Sequence, residues 1–524
     1  MPPPQTPFYI TTAIDYANGD PHLGHALEKV GADAIARYHR LAGRAVHFTV
    51  GMDEHGQKVQ QAAEARGVSP QALVDEVAAT FENAWAALGV SYDEFVRTTA
   101  PQHQRGVRAL IQRIFARNPD DFYERAYEGW YCVGCEAFKT DEEIVGGRCE
   151  LHPTRTLEWT AERNWFFRLS RYQPFLERLL RERPEFCQPE SRRNELLGLL
   201  AQGLEDVSAS RARLAWGVPF PRPTSDGETQ ATYVWFDALP NYLTSTGFPD
   251  GAWEAPAGWW PAQLHVIGKD ITRFHCVIWP AMLEAAGLPL PERVWAHGFV
   301  TLGGERFSKS AGVTLDLNEA VGRYGADAFR YFLLREVPFD GDGSFSWERF
   351  ADRYTADLAN AFGNLASRTV AMVEKYRGGE VPAAAADAVR ASREADAADL
   401  AAYHAAFDGT RGYVPNEALA ALWRVIGRAN AEVQERQPWT LAKDPARAGE
   451  LDAVLHAAVR RLAVAAVCVA PVMPGKAAEL WSQLGGPGDV LDQRFAGLDA
   501  LDPAGWRVRK GAALFPRDAT PFIR

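Results

Sequence analysis

Cysteine is scarce in this chain, six among 524 residues, which is too few for a scaffold built on disulfides. No apolar run reaches the ~20 residues that a bilayer-spanning helix needs. The opening MPPPQTPFYI lacks a basic stretch followed by an apolar one, so neither secretion nor membrane insertion is expected, and the localisation predicted is cytoplasmic. Positive charge is also in deficit: 56 Lys and Arg stand against 67 Asp and Glu, a formal net of −11. That balance excludes a protein that coats nucleic acid by bulk attraction, though it leaves room for a local basic face. Internal repeats are absent. Apolar residues make up 47% of the chain and are spread along it, enough for about two to four domains with ordinary cores.

The order of the patterns divides the chain. Residues 7–117 alternate strand and helix: FYITTAI, then HLGHALEKVGADAIARYHRLAG with Gly43 as a stop, then AVHFTVGMDEHG, then SPQALVDEVAATFENAWAALG behind a good N-cap. This βαβα order predicts an α/β domain with a doubly wound parallel sheet of Rossmann type, carrying ligands at the carboxyl ends of its strands. Over 118–224 the pattern breaks into short aromatic strands and a cysteine cluster. The parallel pattern resumes over 225–301 with ATYVWFDALPNYL, LHVIGKDITRFHCVIWPAML and RVWAHGFV. The middle segment therefore reads as an insertion. From 353 to 524 the chain is Ala-rich and predicts a helical bundle. GGEVPAAAADAVRAS reads as an exposed connection within it, and the final WRVRKGAALFPRDATPFIR as a polar tail packed back on earlier parts.

PHLGH, residues 21–25, sits where the first strand becomes a helix. Two histidines three apart share a helix face and so could ligate a metal, but no Cys or flanking Glu completes a site. They could equally be a capped or solvated pair. A third reading is phosphate contact. Pro21 at the first helical position and Gly24 in the first turn predict an open helix N-terminus, whose free N–H groups and positive dipole end suit a polyphosphate. The pair alone leaves these alternatives open. Far downstream, HGFVTLGGERFSKSAGVTLD sets Lys309 between Ser308 and Ser310 on a loop after the last strand, a composition suited to a mobile clamp on a leaving pyrophosphate.

HLGH followed at this distance by RFSKS resembles the paired HIGH-type and KMSKS-type motifs of the class I aminoacyl-tRNA synthetases. RFSKS departs from the second motif in having Arg306 for Lys and Phe307 for Met. TTAIDYANGDPHLGH, GMDEHG, YVWFDALPNY, IGKDITRFH and ERFSKS are similar, in that order and over nearly the whole chain, to the blocks of the methionyl-tRNA synthetase family. The resemblance implies ATP-dependent activation of L-methionine and its transfer to tRNA(Met), for initiation and elongation. His22, His25 and Lys309 would be catalytic, and His22, Gly24, His25, Lys269, Asp270, Arg306, Ser308, Lys309 and Ser310 would hold Mg²⁺-ATP. Methionine would be bound by Ala13, Ile14, Tyr16, Asp53, Trp235, Ala238, Leu239, Tyr242, Ile271 and His275, with Trp279 nearby. Asp15 stands where relatives often carry Pro or Tyr; it adds charge at the expected pocket mouth, with no role assigned. The resemblance also implies that homocysteine, a near-isostere that an apolar pocket rejects poorly, is cyclised and discarded within the same site.

In the insertion, Cys132-x2-Cys135-x13-Cys149-x2-His152 has the spacing of four tetrahedral zinc ligands, with Gly146-Gly147 making the turn between the pairs. Four protein ligands leave no position for water, so one structural Zn²⁺ is predicted. Cys187, Cys276 and Cys468 read as packing residues. In the helical part the resemblance assigns Asn364, Arg368 and Trp439 to the anticodon. It also names the segments: catalytic domain in two halves (1–117 and 225–301), zinc-bearing insertion (118–224), a stem-contact region with the KMSKS-type loop (302–352), and an anticodon-binding bundle (353–524). An OB-fold, which many relatives carry after the bundle, is not expected, so a monomer is. Two other readings stay in play. One is another class I synthetase, such as those for cysteine, leucine, isoleucine or valine. The other is a non-catalytic tRNA-binding paralogue.

Overall fold

The computed structural model describes residues 7–132, 137–139, 141–150, 153, 156–212, 214–302, 305–306 and 317–516. Its centre is built from short apolar runs with abrupt ends. FYITT forms β1 (Phe8–Thr12), buried at all five positions, as a strand covered on both faces must be. There follow β2 (Asp15–Tyr16), α1 (Leu23–Leu41), β3 (Val46–Asp53), α2 (Gln57–Arg66), α3 (Pro70–Ala87), β4 (Glu94–Arg97) and α4 (Pro101–Arg117). The sheet runs Cys187–Gln188, Val294–His297, Leu264–Gly268, β1, β3, β2, with β4 also paired to β3. Every pairing in it is parallel. β1 thus lies between β3, the next long strand in sequence, and Leu264–Gly268, which returns only after the insertion. The chain winds away from β1 in both directions, and the crevice at the carboxyl ends of such neighbours is where doubly wound sheets take ligands.

Local chemistry sets the helix starts. Ser69 caps α3, accepting from Ala72 N–H at 3.2 Å. α1 begins later than the sequence suggested. Pro21 lies outside the helix and His22 is the cap, its backbone extended at φ −128°, ψ 177°. The imidazole itself satisfies a first-turn N–H, which moves the start to Leu23.

The insertion is an antiparallel sheet around two long strands, Phe122–Cys132 and Glu158–Phe167, paired from Phe122↔Phe167 to Tyr131↔Glu158. The remainder is helical, with long members Asn364–Arg377, Ala386–Ala405, Pro415–Arg436 and Ala448–Val469. The supposed exposed connection over 378–392 is shorter than expected, because a helix already starts at Ala386; the Ala-rich run has the strongest helix preference available. The tail packs back as expected as far as 516: Val381 N–H bonds Trp506 O at 2.9 Å, and Phe515 is buried. One buried side chain locks the helical part to the helices that cover the sheet. The Arg330 guanidinium reaches Asp33 of α1 at 2.6 Å and the carbonyls of Val472 at 2.7 Å and Leu88 at 3.2 Å. Among the described residues no helix is long and apolar enough to cross a membrane.

Candidate active site

The amino end of α1 opens at the carboxyl end of β1. Gly24 N–H donates to His22 Nδ1 at 3.1 Å, and His22 N–H donates to His25 Nδ1 at 3.2 Å, a reciprocal capping box made by imidazoles. Both Nδ1 atoms therefore accept, which puts each ring proton on Nε2. The rings stack with centroids 3.7 Å apart. A Cβ on Gly24 would stand 3.0 Å from the His22 ring, so the missing side chain makes this arrangement possible. No acidic residue occupies the first turn, and the positive end of the helix is left for an external anion. His25 is held well below the usual histidine range, first by lost solvation and then by the neighbouring His22, Lys29 and His297.

Beneath the histidines lies a buried charge cluster. Lys29 Nζ bonds Asp15 Oδ1 at 2.6 Å, Glu28 Oε1 at 2.8 Å and the Ala13 carbonyl at 3.0 Å. Glu28 Oε2 in turn meets His297 Nε2 at 3.2 Å. Asp15, expected at the pocket mouth, is instead buried, because β2 pairs it with Met52 under α1. Its Oδ1 is 3.8 Å from His25 Nε2.

On the other side of β1, an aromatic slot gathers most of the expected methionine residues. Ala13, Leu239, Tyr242 and Trp279 belong to one buried cluster, with Tyr16, Trp235 and Ile271 packed against it. His275 Nδ1 donates to Ile271 O at 3.0 Å, leaving Nε2 to accept from the Tyr242 hydroxyl at 2.6 Å. Burial, opposed only weakly by the Ile271 carbonyl, lowers His275 to about 4, so the ring is neutral at physiological pH. Burial also raises the Tyr242 hydroxyl well above its ordinary range, and Asp53 lies near enough to add to that. Trp235 is half-buried, stacked on Phe274 at 3.6 Å and nearly perpendicular to His275. Asp53 ends β3 beside Tyr16, opposite it in register. Ile14 packs over Gly51, and the Ala238 carbonyl accepts from Asn241 at 2.7 Å.

Of the expected nucleotide residues, Lys269 is engaged with Asp342 Oδ2 at 2.7 Å and lies over the Phe299 ring; Asp270 is exposed at the adjoining turn. Arg306 is described only as backbone, on a short strand paired antiparallel with Val300–Leu302. Ser308, Lys309 and Ser310 lie outside the described residues. So do Cys135 and His152; Cys132 and Cys149 are both buried, each closing a strand. Among the described residues no group of three or more His, Cys, Asp or Glu is placed to hold a metal. In the helical part, the Arg368 guanidinium lies 5.8 Å from the Trp439 ring centroid, and Asn364 begins the same helix as Arg368.

Two groups escaped the sequence reading. The Lys29–Glu28–His297 cluster could have been suspected from two adjacent charges inside the apolar run of α1. The other is a buried His–Asp–His bridge. Asp237 accepts from His55 Nδ1 at 2.6 Å and His103 Nε2 at 3.0 Å, while His103 Nδ1 meets Thr244 Oγ1 at 2.9 Å. His55 follows the strand that carries Asp53, and Asp237 sits on the turn of helix that carries Trp235 and Ala238. Nothing in the spacing of 55, 103 and 237 signals their meeting.

Comparison with known proteins agrees with this geometry. A family described as tRNA synthetases class I (M) matches residues 8–156 and 147–370. The methionine–tRNA ligase of Thermosynechococcus vestitus is 44% identical over 97% of this chain and 94% of its own length. That of Caldanaerobacter subterraneus subsp. tengcongensis is 41% identical over 97% of this chain and 78% of its own. The Mycobacterium tuberculosis methionyl-tRNA synthetase in complex with methionyl-adenylate superposes with a TM-score of 0.91 at 40% identity, covering 98% of this chain and all of that one. The apo form of the enzyme from that organism gives 0.84 at 37%. The chain belongs to the class I tRNA synthetases, in the family of the methionine–tRNA ligases.

Proposed function

We propose that the α1 amino end and the aromatic slot beside it are the two halves of one adenylation site, in which L-methionine and Mg²⁺-ATP react before the methionyl group passes to tRNA(Met). The observation that carries this reading is their adjacency across β1: stacked imidazoles at the amino end of α1 on one side, the cluster of Tyr242, His275 and Trp235 on the other, with Glu28 of α1 near enough to act on both Tyr242 and His275. Asp53 takes the substrate ammonium. The unbranched thioether lies among rigid rings, where sulfur–aromatic contact is favourable by about 0.3–1.5 kcal/mol.

The methionine carboxylate attacks the α-phosphorus in line. A carboxylate-oxygen–phosphorus bond forms, the α–β bridging bond breaks, and its electron pair leaves with pyrophosphate. The carboxylate is already a nucleophile, so no strong protein base is needed, and positioning with charge stabilisation dominates. His22 presents its Nε2–H and, with His25 stacked against it, the helix dipole to the phosphates. Lys309, with Ser308, Ser310 and Arg306, closes on the departing pyrophosphate, and Lys269 and Asp270 line the nucleotide side. In the second step the 2′-hydroxyl of the terminal adenosine attacks the activated carbonyl and AMP leaves.

Arg368 and Trp439, already in contact, offer a base-edge donor and a stacking face to the unstacked anticodon, with Asn364 beside them. Cys132, Cys135, Cys149 and His152 hold one Zn²⁺. Two of the four are buried thiols that end strands of the insertion, a donor set suited to zinc, and the metal would close that knuckle rather than take part in the reaction. We further propose the five-part domain division given above, a cytoplasmic monomer, and editing of homocysteine within the slot.

Methionine-dependent pyrophosphate exchange, run against the twenty amino acids with and without tRNA, tests the reading. Exchange with methionine alone and no tRNA requirement is expected. Exchange driven by another amino acid, or none at all, would refute it. Metal analysis giving one zinc per chain, and loss of that zinc in Cys149→Ser, tests the knuckle.

A further inference from the structure

Asp15 is the feature of the site that the reading above leaves without work. Its carboxylate is buried, with Oδ1 on Lys29 and Oδ2 without a hydrogen-bond partner among the described residues. A buried carboxylate oxygen left unbonded is costly, and few such groups persist without a use. Among the described residues the groups around it are few. From α1, Lys29 bonds it, Glu28 competes for the same ammonium, and His25 Nε2 lies 3.8 Å away with His22 stacked behind. From the Val294–His297 strand, His297 acts through Glu28. From β3, the apolar Met52 is opposite, with Asp53 next along the strand. Two carboxylates thus share one lysine. Among the described residues Glu28 has a second partner in His297, and Asp15 has only the approach to His25.

We propose that Asp15 is a positioning residue for the nucleotide step: it supports His25 from below and supplies the negative charge against which that imidazole takes up one proton from solvent, at the Nδ1 that until then accepts the His22 N–H and so releases that N–H, when a triphosphate occupies the amino end of α1. This rests on the adenylation reading above. In the free enzyme, burial and the nearby cations keep His25 neutral. The arriving phosphates favour an imidazolium, and an ionised Asp15 one bond-length short of contact makes that change affordable in a low-dielectric pocket. Burial, eased by Lys29 and reinforced by Glu28, lifts the Asp15 carboxyl to about 7. It is therefore charged above that pH and neutral below it, so support for His25 fails as the pH falls through about 7.

The test is the pH profile of kcat/KM for ATP in methionine-dependent exchange, which reports groups of the free enzyme. The wild type is expected to lose activity from pH 8 to pH 6 with a midpoint about 7, and Asp15→Asn to show a level profile. At pH 8 the variant should raise KM for ATP about tenfold, equal to about 1.4 kcal/mol, with KM for methionine within about twofold. Because Asp15→Asn leaves Lys29 short of a partner, Asp15→Asn/Lys29→Met, which removes both charges, provides the second arm and should be equally level. Calorimetry with a non-hydrolysable Mg²⁺-ATP analogue at pH 8, in buffers of different ionisation enthalpy, should give about one proton taken up by the wild type and about none by either variant. A wild-type profile that is level from pH 6 to pH 8 overturns the proposal whatever the variants do. So does either folded variant that keeps the wild-type limb and ATP KM. A wild type without methionine-dependent exchange would sink the adenylation reading itself, and this proposal with it; an active wild type failing the other criteria sinks the proposal alone.

Discussion

Replacing Asp237 with Asn, its nearest neutral shape, should disturb both sides of the aromatic slot proposed for methionine at once. Burial alone would raise this carboxyl, but His55 and His103 outweigh it and hold it at about 2 against an ordinary 3.8. At 1.36 kcal/mol per pH unit, that difference is about 2 kcal/mol of preference for the ionised form. A depressed carboxylate contributes stability above its unfolded value and loses it as pH falls through the folded one, so the contribution is complete at neutral pH and fades between about 4 and about 2. His55 has the opposite sign. Burial lowers it, Asp237 more than restores it, and the net shift is upward from 6.5; its contribution is whole below 6.5 and is lost as pH rises through the raised value. Asn keeps the volume but turns an NH₂ towards one of two N–H donors, and breaking a buried pair by removing one partner costs about 3–5 kcal/mol. The lower bound is the 2 kcal/mol above. Since Asp237 tethers the helical turn of Trp235 to the strand end of Asp53, the loss should appear as a melting midpoint lowered by several degrees and a KM for methionine raised about tenfold. KM for ATP should change less. Scanning fluorimetry and exchange kinetics read both, and the His55 ring should titrate lower by NMR. Asp237→Asn with a melting midpoint within about 1 °C of wild type and an unchanged methionine KM would refute the coupling.

Tyr242→Phe removes the hydroxyl that donates to His275 Nε2 and leaves a buried acceptor unbonded, at about 1–3 kcal/mol; exchange kinetics should show methionine KM rising while ATP KM holds. Lys309→Ala should cost adenylate formation at least ~2 kcal/mol of transition-state energy with methionine binding barely changed, and an unchanged exchange rate would remove the clamp role. Arg368→Ala and Trp439→Ala should each weaken tRNA(Met), about 1–3 kcal/mol for a lost base stack, seen as a higher tRNA KM in aminoacylation with tRNA-independent exchange as the reference.

Several things were legible in the order of residues. Strand–helix alternation over 7–117, the resumption of that pattern after the cysteine segment and the Ala-rich composition from 353 are local signals, and they set the α/β class, the insertion and the helical remainder. The histidine pair by itself left several readings open, and the aromatics around Tyr242 were named through the resemblance of short motifs to the methionyl-tRNA synthetase family. The start of α1 was missed by two residues because the cap there is an imidazole, which propensity rules do not anticipate. Asp15, His297 and the α1 pair Glu28–Lys29, like His55, His103 and Asp237, are brought together by the packing of strands and helices. Charge in an apolar run raises a suspicion, but its partners come from strands and helices that meet only once the sheet has wound both ways from β1. The sequence determined which groups the molecule has to spend on phosphate and thioether; the tertiary structure decided which of them are buried together, because ionisation in a core depends on distance and solvent rather than on position along the chain.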